Sequence, residues 1–171
     1  MVCLYQQEGL EFSDLISGIL KKQFNLSVIR SKDFHIASET FNPLRNQYEA
    51  SRIIESLTDC YDKRCDKHLI IVDVDIYAPR FNFIFGLADI HRNVAIVSIY
   101  RLSKNGLLKE RLAKEVVHEI GHIVGLHHCQ TPTCVMYFSN TIVDTDRKGV
   151  DLCEECRRKI EGIQAFYPRT N

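Results

Sequence analysis

His118, Glu119, His122, Gly125 and His128 spell the pattern HExxHxxGxxH, and residues of these types at these offsets can hold and use a metal ion. Histidines four apart on a helix stand one above the other, so both imidazoles reach a single ion. Glu119, next to the first of them, can approach a water at the ion's open position and act on it as a base. A helix running on past Gly125 would carry His128 away along its axis. Glycine takes a left-handed conformation at little cost, so Gly125 is read as ending the helix and turning the chain back. Three histidines leave a coordination position free, which is the layout of a catalytic zinc site. His127 is one residue off the pattern and is read as a neighbour. HExxH alone also fits a salt-bridged helix face; the glycine and third histidine at fixed offsets argue against that reading.

Cys129 and Cys134 follow at once, and Cys153 and Cys156 come later. Two close thiol pairs separated by a loop suit a closed, tetrahedral four-cysteine zinc site, with four buried thiols or a redox pair at Cys153 and Cys156 as the alternatives. The remaining three of the seven cysteines are read differently. Cys60 and Cys65 have no second pair nearby and are expected as free thiols at a helix end, and Cys3 as strand packing. An odd count argues against a disulfide framework.

The stretch from His118 to His128, then Cys129, Cys134, Met136, Cys153 and Cys156, resembles the archaemetzincin motif. In that family an HExxHxxGxxH zinc site runs directly into a cysteine of a second zinc site, and a methionine stands two residues after the second cysteine. Residue types agree at every motif position here, and only the stretch between Met136 and Cys153 is slightly short. The resemblance implies one metzincin-like domain over residues 1–171, with a Met-turn at Met136. It implies two Zn2+ per chain: a catalytic ion on His118, His122 and His128 with Glu119 as base, and a structural ion on the four clustered cysteines. It also implies a metallopeptidase acting on peptides or proteins, without supplying a natural substrate. The competing class is a non-catalytic, zinc-stabilised binding protein, which would close the open position with a fourth ligand such as Cys129 or His127.

The elements around this motif must form a rigid support. Residues 2–5 read as a buried strand and 8–24 as a helix, with Leu10, Phe12, Leu15, Ile16, Ile19, Leu20 and Phe24 at helical spacing. A strand over 25–30, a helix over 46–59 and a β-branched strand over 69–74 follow. A strand over 81–90, interrupted by Gly86, is expected to pair with one over 94–100. The order β-α-β-α-β-β-β predicts an α/β fold: a mostly parallel twisted sheet with one antiparallel edge strand. Helices over 106–124 and 154–166 complete the chain, and the four prolines, Pro43, Pro79, Pro132 and Pro168, fall between elements as turn residues. A substrate in extended form would pair with the edge strand around Phe83 to Asp89, where Gly86 permits close backbone approach. Tyr137 is a candidate donor to an oxyanion, with packing as its plainer role. His35, His68 and His91 are expected at the surface or strand ends.

Charge and composition narrow the partners. Twenty-two basic residues balance 22 acidic ones, and no basic stripe is present, so nucleic acid is not expected as a partner. No apolar run reaches the ~18 residues of a membrane span, and the first residues carry no basic start or apolar core. The expected setting is cytoplasmic. Nothing in the sequence sets the oligomeric state or separates internal from terminal cleavage.

Overall fold

In the computed structural model, which describes residues 1–166, the chain runs through β1 (Val2–Gln6), α1 (Ser13–Phe24), β2 (Val28–Arg30), β3 (Phe41–Asn42), β4 (Gln47–Glu49), α2 (Ala50–Ser56), β5 (Lys67–Val72), β6 (Ile76–Tyr77), β7 (Gly86–Asp89), β8 (Val94–Ser98), α3 (Leu108–Ile123), α4 (Ile142–Arg147) and α5 (Glu154–Phe166). Pro168 lies outside the described residues. Five strands form a sheet in the order β2-β1-β5-β8-β7, parallel except for β7, which runs antiparallel to β8 at the edge.

The parity of side chains along β5 explains why both faces must be covered. Leu69 and Ile71 join one apolar cluster with α1 and α3, whereas Ile70 and Val72 join another beneath α2. From His68 to Val72 every residue is buried, on one side or the other, as a central parallel strand requires. The expected fold class therefore stands, with its antiparallel edge strand in place. The turn between β7 and β8 closes through Asn93, whose φ of 55° is tolerated by asparagine.

Several elements differ from expectation, each for a local reason. The first helix begins at Ser13 rather than near residue 8, because Gly9 turns left-handed and the Gln6 side chain accepts the Phe12 N–H at 2.8 Å. Leu10 and Phe12 still pack on the core from the loop. The segment 46–59 is a short strand, a short helix and a 3-10 turn; Tyr48 lies in β4 against Phe41, within a second small sheet ordered β3-β4-β6. The edge strand shrinks to four residues, since the Ile84 N–H donates to Ile76 O at 3.0 Å and so turns to β6 instead of pairing with β8.

The cysteine expectations need a clear correction. Cys65 is not a free thiol: it is disulfide-bonded to Cys3, with Cα atoms 5.6 Å apart across 62 residues of sequence. Parallel pairing sets Val2 opposite Lys67, which brings the start of β1 beside the segment entering β5. Cys60 remains free and exposed. His68, expected at the surface or a strand end, stands second in β5 and is buried, with its ring stacked on Tyr61 at 4.3 Å and Nδ1 3.3 Å from the Tyr5 hydroxyl.

Candidate metal centres and the cleft between sheet and helix

Helix α3 places His118, Glu119 and His122, and its C-terminus places His128. Gly125 takes φ 98°, its N–H donates to His122 O at 3.0 Å, and the Leu126 N–H donates to Gly121 O at 2.9 Å. That pair of bonds is the Schellman stop expected of a left-handed glycine. The chain then reverses, and the three imidazoles converge with ring centroids 4.7, 4.9 and 5.3 Å apart.

The hydrogen bonds of these rings identify their free nitrogens. His118 Nδ1 lies 2.8 Å from Val135 O, and His122 Nδ1 lies 2.8 Å from Leu126 O. A carbonyl can only accept, so each Nδ1 carries the hydrogen and each Nε2 is left as a lone pair. Burial, with the Lys148 charge adding to it, pushes His118 down to about 2, and burial also lowers His122 and His128, so neutral rings are favoured. Yet the two Nε2 atoms face each other at 3.2 Å. Two lone pairs at that distance repel unless a cation takes both. Tetrahedral zinc with Zn–N near 2.0–2.1 Å would hold its nitrogens about 3.3 Å apart, so the donor set fits that ion. His128 is exposed and closes the set, with one ligand atom from each histidine within 4.8 Å of the others.

The four cysteines that follow form a separate cluster. Cys129 Sγ is 3.7 Å from Cys153 Sγ, and Cys134 Sγ is 3.8 Å from Cys156 Sγ, with no disulfide among them. Four sulfurs at Zn–S 2.3 Å would stand about 3.8 Å apart, so this set also fits zinc, as a closed site. Although burial opposes it, hydrogen bonding from the Cys156 backbone and the neighbouring thiols holds the Cys153 thiol at about 7. The two clusters are linked: Cys129 follows His128 directly, and Val135, whose carbonyl orients His118, follows Cys134.

Met136 sits under the helix against Gly121. A Cβ built on Gly121 would overlap Met136 Sδ and lie 2.9 Å from its Cε. A glycine inside a helix costs about 1 kcal/mol relative to alanine, and here it seats the turn. Gly121 sits inside the HExxH pattern, but its spacing alone carries no sign of this contact.

Glu119 is buried and shares a cavity of about 230 Å3 with His118, His122, His128 and Glu115. Burial above all, with Glu115 adding to it and Lys148 opposing, raises its carboxyl to about 8. Beneath it, fully buried Lys148 faces Glu115 Oε1 at 3.1 Å, and the Thr145 hydroxyl donates to the same oxygen at 3.1 Å. Neither Glu115 nor Lys148 is marked by any spacing in the sequence. Only the packing of α4 on α3 brings them together. Gly86 of the edge strand meets Glu119 directly, a contact that sequence reading assigned to substrate instead.

The cavity walls are apolar. Phe81, Phe83, Phe85 and Leu87 line one side and Phe138 the other, with the Phe138 ring 5.0 Å from that of His128. Arg45 donates to the carbonyls of Phe81 and Asn82 at 2.8 and 3.0 Å, fixing the loop ahead of β7 from the small sheet. Tyr137, the candidate oxyanion donor, is not among the cavity-lining residues, and its N–H donates to Cys134 O; Phe138 occupies the wall. His127 is exposed and stands outside the three-histidine set. Among the described residues, no helix is long and apolar enough to cross a membrane.

Known proteins are similar to this chain in sequence and in fold. The model of peptidase family M54 matches residues 10–162. A protein of Pyrococcus horikoshii named archaemetzincin is 49% identical over 130 residues, covering 71% of this chain and 69% of the relative. The solved archaemetzincin of Methanopyrus kandleri superposes with a TM-score of 0.86 at 29% identity, covering 96% of this chain and 94% of that one. A solved zinc-dependent peptidase of Methanocorpusculum labreanum gives 0.83 at 30% identity, covering 94% and 100%.

Proposed function

Since the chain belongs to peptidase family M54, the archaemetzincins, and is a zinc metallopeptidase, we propose that its peptide hydrolysis uses Glu119 as general base beside a zinc held by His118, His122 and His128. The observation that carries this assignment is the pair of facing Nε2 atoms at 3.2 Å, with Nδ1 of each ring committed to a carbonyl. When bound, zinc supplies Lewis-acid chemistry, polarising the scissile carbonyl and making water acidic enough to lose a proton near neutral pH. Glu119 takes that proton during attack and delivers it to the departing amine. Val135 O and Leu126 O keep the imidazoles turned toward the cleft throughout.

The four cysteines Cys129, Cys134, Cys153 and Cys156 hold a second, structural zinc, giving two ions per chain in one domain. A substrate in extended form adds to the unpaired side of β7, with its apolar side chains against Phe81, Phe83 and Phe138. The non-catalytic alternative requires a fourth side chain on the histidines. His127 stands outside their set, and the Cys129 thiol belongs to the other cluster.

Digestion of a mixed peptide library by the zinc-loaded protein, read by mass spectrometry, tests the assignment. Glu119→Ala should abolish turnover while its zinc content stays at the wild-type level. Cleavage at the wild-type rate by that variant would remove Glu119 from the mechanism. The ends of the products separate internal from terminal cleavage.

A further inference from the structure

We propose that Gly86, on the edge strand, is a positioning residue for Glu119: its missing side chain is the seat of the general base. The inference rests on the role given to Glu119 above. A Cβ built on Gly86 would lie 2.7 Å from Glu119 Cγ, 2.7 Å from Oε1 and 2.9 Å from Cδ, and these are its three nearest atoms. Ordinary carbon contacts lie at about 3.5–4.0 Å, so any side chain at position 86 pushes the carboxylate by about 1 Å.

The backbone does not require glycine there. Gly86 is outside the left-handed region, which among the described glycines is occupied by Gly9, Gly106 and Gly125. It pairs in register with Val97 in the antiparallel ladder, a setting that alanine also accepts. By contrast, Gly18 and Gly162 meet nothing within 4 Å. The one thing an alanine at 86 would meet first is the carboxylate end of Glu119. That carboxylate is buried on the cavity wall beside Glu115, so it can yield only by swinging within the cavity, away from the position it now holds. A strand glycine ordinarily marks a close approach, and the approaching group is the enzyme's own base.

This separates two roles that kinetics can tell apart. If Gly86 seats Glu119, Gly86→Ala lowers kcat about 10- to 100-fold, the cost expected of a reacting group misplaced by 1 Å, and leaves KM within about twofold. If Gly86 makes room for substrate instead, the loss falls on KM. The experiment uses the full chain, zinc-loaded, with the peptide cut fastest in the library digestion. Zinc content and Tm of Gly86→Ala should match wild type, and its crystal structure should show the Glu119 carboxylate displaced. Glu119→Asp, being shorter, should cost much less in the Gly86→Ala background than in wild type.

An unchanged kcat, a loss confined to KM, an undisplaced carboxylate or strictly additive effects in the double variant would each overturn the proposal. Glu119→Ala runs beside these variants. Full turnover there would defeat the reading of Glu119 itself, whereas an inactive Glu119→Ala with a fully active Gly86→Ala would defeat the seat alone.

Discussion

The histidine and cysteine clusters adjoin in the chain at His128 and Cys129, yet they are built in opposite ways. The histidine set takes two members from one helix and a third just past its end, and leaves His128 exposed to the cleft. The cysteine set joins two segments about 20 residues apart and buries three of its four members. The two histidines of one helix need no ion to bring them side by side, because i and i+4 already face the same way. A site that joins separate segments depends on its ion to hold them. The first should therefore fail in chemistry and the second in folding.

The largest effect that would test this contrast comes from Cys156→Ala. It should lose one zinc and several kcal/mol of stability, since structural zinc binding contributes on the order of 10 kcal/mol to small zinc domains. Chemical denaturation with zinc counted by mass spectrometry measures both, and a variant of wild-type stability would erase the distinction. His122→Ala should do the reverse. Turnover falls by about 10^3 or more while the denaturation midpoint moves little.

Lys148→Met comes next, because it leaves Glu115 buried without its counter-ion; the expected loss is about 3–5 kcal/mol, read from urea unfolding. If Lys148→Met were neutral, the floor of the histidine cleft would not depend on that pair. Cys3→Ala should cost about 2–4 kcal/mol through the lost cross-link, with both zinc ions retained, because the Cys3–Cys65 bond lies under α2 on the other face of the sheet. Release of zinc from that variant would show the two faces to be coupled.

The last test is one of pH. In the zinc-free protein, folding raises Glu119 from near 4.5 to about 8, so between those values the folded chain holds a proton that the unfolded chain has released. Stabilisation from this group is complete below about pH 4.5 and is lost as pH rises through about 8. Glu119→Gln lacks this slope, so its Tm should gain on wild type steadily across that window. Parallel melting curves would show that the carboxyl is not held protonated.

The clarity of each feature in the sequence followed from how local its cause was. HExxH and the Gly125 stop act within one helix and one turn, where spacing alone sets geometry, and the imidazoles and the left-handed glycine stand where that spacing puts them. The five-stranded sheet was legible because β5 and β8 are long and β-branched enough to require cover on both faces. The small sheet was not, since strands of two or three residues have no periodicity to detect. Cys3–Cys65 escaped because a parallel register across 62 residues brings them together, and no spacing rule encodes that. Glu115 with Lys148, and Gly121 with Met136, belong to the same class: each residue is ordinary until its partner packs on it. Gly86 was noticed as a break in a strand, but which neighbour would fill the space was visible only in three dimensions.

The peptide bond between His128 and Cys129 also has a consequence for biosynthesis. A nascent peptidase that completes its cutting centre early endangers every unfolded chain around it, itself included. Here the third histidine directly precedes Cys129, whose position the proposed structural ion would set, and the carbonyl that aims His118 comes from Val135, next to Cys134 of the same cluster. On the assignment proposed above, the two loading events run in series. On that assignment a copy that has not secured its scaffold cannot arm itself, so the fold works as an interlock.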